Sequence, residues 1–181
     1  MSLPAIDKDW TLFLDRDGVI NIEKPLQYIN SWEEFIFYDG VREALHIFSK
    51  MFKLILVVSN QRGVSKGFTK LEDLYAIHAN MVEDIKRAGG RIDKVYFCID
   101  AESTSPNRKP NPGMGFQAKK DFDSIDFTRS IMVGNKLSDM EFGRNIGAKT
   151  VFVLTTNPDT DPADPRIDAV YPSLIDFAKS L

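Results

Sequence analysis

One cysteine and two histidines in 181 residues rule out two common kinds of site. Cys98 cannot close an internal disulfide, and these three side chains are too few for a soft-ligand metal cluster. A hard, oxygen-liganded ion remains open. No apolar run reaches the length that spans a bilayer, so a membrane protein is excluded. The amino terminus, MSLPAIDKDW, has neither a basic flank before an apolar segment nor a small-residue cleavage site, and a cytoplasmic location is the expectation. A basic surplus is also missing. The net charge of -3 argues against a broad face for nucleic acid. The expected partners are small, with no nucleic acid and no membrane among them, and a monomer is the default assembly.

What is present is an ordinary globular composition, 43% hydrophobic and 27% charged, long enough for one full core. One domain over residues 1–181 is expected. The apolar run Trp10 to Leu14 reads as a buried strand that breaks at Asp15-Arg16-Asp17-Gly18. Val19 to Tyr38 reads as a flap ending in a short extended piece, Phe35 to Tyr38, whose aromatics suit packing. Val41, Ala44, Leu45, Phe48 and Phe52 fall at helical spacing. Lys53 to Val58 is a strand covered on both faces, with a polar exit at Ser59-Asn60. GVSKGF follows, then Thr69 and Glu72 as a capping-box pattern before a long helix through Ile85. Gly89-Gly90 stops it, and Val95 to Ile99 is the third strand. Asn111-Pro112 reads as the cap and first turn of a short helix to about Asp121. Strands at Ser130 to Val133 and Thr150 to Leu154 flank a helix from Leu137 to Ile146. A short strand near Ala169-Val170 and a helix from Leu174 complete the chain.

This alternation implies an α/β fold: a Rossmann-like three-layer sandwich around a parallel sheet of about five strands, with right-handed crossovers. No interval could hold a large cap domain, so an open site is expected. Ligands in such sheets sit beyond the carboxyl ends of the strands. Four polar exits lie there: Asp15/Asp17, Ser59-Asn60, Arg108-Lys109 and Asn135 to Asp139.

Two neighbouring carboxylates repel, and burying them requires a cation or a proton. Mg²⁺ is the natural candidate, because it accepts one or two carboxylates and bridges to phosphate oxygens. Together with a lysine, an arginine and a hydroxyl, such a centre suits phosphoryl transfer. An aspartate nucleophile would divide the hydrolysis into two displacements through an acyl phosphate.

The motifs DRDG at Asp15 to Gly18, VVSNQRG around Ser59, NRKPNPGM around Lys109 and VGNKLSDM from Val133 occur in this order. In that combination the chain resembles the haloacid dehalogenase (HAD) superfamily phosphatases, and within them those for heptose bisphosphate and histidinol phosphate. The resemblance implies Asp15 as nucleophile and metal ligand. It implies that Asp17 protonates the leaving alcohol and then deprotonates the attacking water, its backbone carbonyl touching the metal. Ser59 and Lys109 would hold the phosphoryl oxygens. Asn60, Gln61, Arg62, Arg108 and the flap residues Glu23, Lys24, Pro25 and Leu26 match substrate contacts, and Lys136 matches one near the phosphate. The expected substrate is a small phosphorylated metabolite, a heptose bisphosphate first and histidinol phosphate next.

Two positions depart from that pattern. Asn135 stands where the family usually has an aspartate, offering the metal a neutral amide oxygen, and Asp139 is left to share the role. The zinc loop of many relatives has the counterparts Cys98, Asp100, Ser105 and Asn107 here, so zinc is not expected. Each motif also has a plainer reading: acids capping a strand-end turn, Ser59 as a helix cap, Arg108-Lys109 as a solvated pair, and Asn135 to Asp139 as a helix start. His46 and His78 read as structural or surface residues, and Cys98 as a core thiol. A phosphometabolite-binding protein that has lost catalysis, and a receiver that stores phosphate on an aspartate, are the competing functional classes.

Overall fold

A computed structural model describes residues 3–24 and 27–181 of the chain. Six strands form one sheet in the order β3-β2-β1-β4-β5-β6, and every neighbouring pair is parallel. They are β1 (Thr11–Leu14), β2 (Leu54–Asn60), β3 (Lys94–Cys98), β4 (Ser130–Gly134), β5 (Lys149–Val153) and β6 (Ala169–Tyr171). Between them run α1 (Val41–Met51), α2 (Leu71–Arg87), α3 (Gly113–Asp121) and α4 (Leu137–Ile146), and α5 (Leu174–Lys179) follows β6. The short Ala169-Val170 strand adds a parallel edge, so the sheet has six strands where about five were expected.

The alternation of side chains along the strands separates two cores. Leu12, Leu14, Ile55, Val57, Ile131 and Val133 face α1, α2 and α5, together with Leu45, Phe48, Ile77 and Phe177. Phe13, Leu56, Val58 and Met132 face the other way, onto Met114, Ala118, Phe142 and Ile146 of α3 and α4. With both faces of β1, β2 and β4 covered, their near-continuous apolar sequences are accounted for. The chain leaves β1 toward β2 and β3, then returns to the opposite side of β1 as β4. That reversal puts the topological switch point beside β1, where a parallel sheet opens its crevice.

Two helix starts differ from the sequence reading. Thr69 and Glu72 do not form a capping box: α2 begins at Leu71 after Lys70, and the Thr69 hydroxyl instead donates to Asn30 Oδ1 at 2.7 Å. Tertiary contact between two loops outcompetes the local cap. Pro112 stands at the cap position of α3, not in its first turn, while the Asn111 amide donates to the Ser103 and Ser105 carbonyls within its own loop. The flap after β1 is folded back on itself, with the Ile22 N–H donating to the Ile36 carbonyl and that of Tyr38 to the Ile20 carbonyl. Phe35 stacks on Trp32 with centroids 5.1 Å apart and meets Phe37 edge-on, so this aromatic run does pack. Among the described residues no helix is long and apolar enough to cross a membrane.

Candidate active site

The end of β1 delivers the first acid. Asp15 follows Leu14 and donates its backbone N–H to the Val133 carbonyl of β4 at 3.0 Å, which fixes it between two strands. The chain then turns at Gly18, whose φ of +88° is left-handed. A Cβ at Gly18 would lie 2.0 Å from Asn135 Nδ2, so glycine is required on both grounds.

Lys109 arrives from the loop after β3 and is 4% exposed. Its Nζ lies 2.8 Å from Asp15 Oδ1 and 2.7 Å from Asp139 Oδ1, one ammonium shared between two buried acids. Asn60, at the end of β2, holds the Lys109 backbone from both sides: its Oδ1 accepts the Lys109 N–H and its Nδ2 donates to the Lys109 carbonyl, each at 3.0 Å. Both ends of an amide expected to touch substrate are thus committed to placing the lysine. Asp139 in turn accepts the Lys136 N–H at 3.1 Å at the start of α4.

Burial pushes the Asp15 carboxyl up to about 6; Lys109 opposes the rise, while Asp139 and Asp17 add to it. Lys109 also loses solvation, but its two acids more than compensate and raise its proton affinity. One buried cation faces two acids, and the local charge is short of positive.

Asp17 is surrounded differently. Burial again favours its neutral form, yet Arg16, Asn21 and Gln61 outweigh that and hold the carboxyl below its ordinary range. Arg16 Nη2 reaches both carboxylate oxygens, at 2.9 and 3.0 Å, Asn21 Nδ2 donates to Oδ1 at 3.0 Å, and Gln61 Nε2 to Oδ2 at 2.7 Å. Gln61 Nε2 also approaches Ser59 Oγ at 2.8 Å, tying the β2 exit to the second acid.

The donor set fits a hard divalent cation. Asn135 is fully buried, and its Nδ2 donates to Thr156 Oγ1 at 2.6 Å while its Oδ1 has no hydrogen-bond partner among the described residues. An orphaned carbonyl oxygen at the exit of β4, on an amide that packs against Gly18 of the turn after Asp15, is together with an under-neutralised pair of acids the ligand type that Mg²⁺ takes. The replacement of aspartate by Asn135 therefore keeps an oxygen donor but removes a charge.

These groups lie around a cleft of ≈ 880 Å³. Asp15, Asp17, Glu23, Lys24, Asn60, Gln61, Arg62, Arg108, Lys109, Lys136 and Asp139 all line it. Ser59 and Asn135 do not; both are buried. Pro25 and Leu26 lie outside the described residues. Lys136 is paired with Glu23 at 2.6 Å, and Lys24 with Glu34 at 2.9 Å. Sequence reasoning missed Tyr28, Asn30, Lys66, Phe68 and Ser138, which also line the cleft. Tyr28 and Phe68 stack with centroids 5.5 Å apart, joining the flap to the loop after β2, and Phe68 is 64% exposed. The signal was an aromatic directly after the glycines of GVSKG, where no core position was due. In the loop after β3, Ser105 donates to Asp100 and Cys98 Sγ lies 3.6 Å from the same carboxylate. Among the described residues no group of three or more His, Cys, Asp or Glu side chains is arranged to hold a metal ion, so an ion at Asp15 would rely on the amide and backbone oxygens as well.

The HAD-hydrolase-like family model matches residues 106–177, which carry Lys109, Asn135 and Asp139. The D-glycero-alpha-D-manno-heptose-1,7-bisphosphate 7-phosphatase of Campylobacter jejuni is 37% identical over 147 residues, 81% of this chain and 83% of that protein. The chain belongs to the heptose-1,7-bisphosphate phosphatase family of HAD-like hydrolases. It is a phosphatase by that membership. A second relative, the D-glycero-beta-D-manno-heptose-1,7-bisphosphate 7-phosphatase of Yersinia pestis, is 34% identical across 99% of this chain and 96% of its own. Among solved structures, the D,D-heptose 1,7-bisphosphate phosphatase from B. bronchiseptica, complexed with magnesium and phosphate, superposes with a TM-score of 0.85. It is 26% identical and covers 94% of this chain.

Proposed function

We propose that this phosphatase is a Mg²⁺-dependent phosphomonoesterase that removes one phosphate from a heptose bisphosphate through Asp15. The observation that carries the reading is Lys109 Nζ at 2.8 Å from Asp15 Oδ1, on the wall of a cleft that also presents Asp17. Asp15 attacks phosphorus and its new P–O bond replaces the bond to the sugar oxygen, giving an acyl phosphate. Lys109 neutralises charge on the attacking acid and the phosphoryl oxygens. The phosphate's negative charge, entering beside Asp17, raises that acid's proton affinity, and Asp17 supplies the proton to the departing alkoxide. Returned to the anion that Arg16, Asn21 and Gln61 favour, it takes a proton from the water that hydrolyses the acyl phosphate. Mg²⁺ held by Asp15, the Asp17 carbonyl and Asn135 Oδ1, with Asp139 directly or through water, would supply the positive charge that the two acids lack.

A bisphosphate also needs cations away from the reacting group. Arg62, Lys66 and Arg108 line the cleft and make no ion pair among the described residues, and the Arg108 side chain donates to the Asp100 carbonyl. These three are available to the second phosphate, and they disfavour histidinol phosphate, whose far end is cationic. The reading is tested with Asp15→Asn, for which Mg²⁺-dependent phosphate release from heptose bisphosphate should fall below detection. Unchanged turnover would overturn the nucleophile. Arg62→Ala with Lys66→Ala should raise KM about tenfold for the bisphosphate and leave it unchanged for the monophosphate.

A further inference from the structure

His78 lies on α2, one helix away from the acids, and neither the motifs nor the chemistry above uses it. It is 6% exposed, and its Nε2 lies 3.0 Å from Arg16 Nη1. Arg16 is itself 1% exposed, the largest fully buried side chain among the described residues. A guanidinium has N–H donors only and stays charged, so the imidazole nitrogen that meets it must be an acceptor. His78 is therefore neutral, with its proton on Nδ1. Burial and the Arg16 charge agree with this, pulling its pKa down to about 3. Phe97 packs on the imidazole at 5.2 Å, and Phe35 lies 5.9 Å from the guanidinium.

From this chain of contacts we infer that His78 is a positioning residue for the proton-transfer acid: it fixes the Arg16 fork, and the fork fixes the carboxylate of Asp17. The reasoning is geometric. Arg16 donates to Asp17 through Nε at 3.2 Å and through Nη2 at 2.9 and 3.0 Å. With Nε and Nη2 on Asp17, Nη1 points away from the carboxylate, toward α2. If no acceptor stood there, a buried charged N–H would be unpartnered, and the guanidinium would turn to recover a bond. The plane of the fork, and with it the oxygen that Asp17 presents to the cleft, would turn as well. Misplacement of an acid by a fraction of an ångström to 1 Å is enough to reduce proton transfer strongly. His78 thus acts at two removes, without touching substrate.

This inference rests on the reading of Asp17 as the acid for the leaving alcohol, and leaving-group chemistry separates the two. A sugar alkoxide needs a proton as it departs, whereas nitrophenolate leaves without one. The full chain with His78→Leu, His78→Gln and Asp17→Asn is assayed with Mg²⁺ on a sugar phosphate and on p-nitrophenyl phosphate, following release of the leaving group in a single turnover, so that hydrolysis of the acyl phosphate, which both substrates share, does not enter. Loss in Asp17→Asn should be much larger for the sugar phosphate. His78→Leu should lower the single-turnover rate on the sugar phosphate at least tenfold, with the half-saturating concentration within twofold, and lower that on the aryl phosphate less than threefold. His78→Gln, whose amide oxygen can accept from Nη1, should recover most of the loss. Equal losses on both substrates in His78→Leu, or no recovery in His78→Gln, overturn the positioning role. If Asp17→Asn itself loses equally on both, the reading of Asp17 fails and the inference falls with it. Should His78→Leu not fold, failure of the folded His78→Gln enzyme to retain the substrate ratio of the unaltered enzyme overturns the inference.

Discussion

Asp15 and Asp17 are one residue apart in sequence and stand in opposite surroundings. The Asp15 side holds two acids and one shared ammonium, and its carboxyl is raised to about 6. The Asp17 side holds one acid among a guanidinium and two amides, and its carboxyl is lowered. The first half is short of positive charge and suits a cation and a phosphate. The second is already satisfied and suits a group that must return to its anion after each proton transfer. Burial alone would raise both; hydrogen-bond partners decide the difference.

Removing the shared ammonium should disturb that contrast most. Lys109→Met leaves Asp15 and Asp139 buried and unneutralised, and we expect stability to fall by about 3–5 kcal/mol. Denaturant unfolding at pH 7.5 without metal measures it, and added Mg²⁺ should recover part of the loss. Next is the support of the other half. His78 is neutral in the folded protein down to about pH 3, while an exposed histidine takes up a proton near 6.5. The unfolded chain therefore binds more protons between these values, and stability falls as pH drops through that window, by up to about 1.4 kcal/mol per pH unit. His78→Gln removes this dependence, so its acid unfolding midpoint should lie at lower pH than that of the unaltered protein.

The Asp15 half has the reverse sign. Its folded carboxyl keeps a proton up to about pH 6 and the unfolded one only to 3.8, so its contribution to stability declines as pH rises across that interval. Without metal at pH 7.5, Asp15→Asn should be more stable than the unaltered protein by ~1–3 kcal/mol, and the gap should close near pH 3.5. A melting temperature that is lower in Asp15→Asn at pH 7.5 would contradict the raised carboxyl. The smallest expected effect concerns the orphaned oxygen. Asn135→Asp adds a charge to the cation side and should tighten Mg²⁺ binding roughly tenfold by calorimetric titration, about 1.4 kcal/mol. Unchanged affinity would mean that Asn135 does not face the ion.

Much of this is legible in the amino-acid sequence alone. The strand and helix boundaries follow within a residue or two from apolar runs and glycine stops such as Gly147, whose φ of +86° closes α4. The motif residues Asp15, Asp17 and Lys109 do gather at the carboxyl ends of the strands. Thr69 and Asn60 both have polar atoms engaged by a distant loop: the Thr69 hydroxyl donates to Asn30 in place of capping α2, and Asn60, which lines the cleft, also brackets the Lys109 backbone. The contacts of His78 and Phe68 carry no such signal, because spacing shows which helix face or loop a residue occupies, and says nothing of what arrives opposite it.

The sequence by itself determined the α/β order of elements and brought both acids to the end of one strand, since apolar periodicity and turn residues act locally. Only the tertiary structure decided that the two acids differ. Their proton affinities depend on Lys109, Asp139 and Gln61, residues 44 to 124 positions from the acids they serve, and electrostatic energies depend on distance in space rather than along the chain.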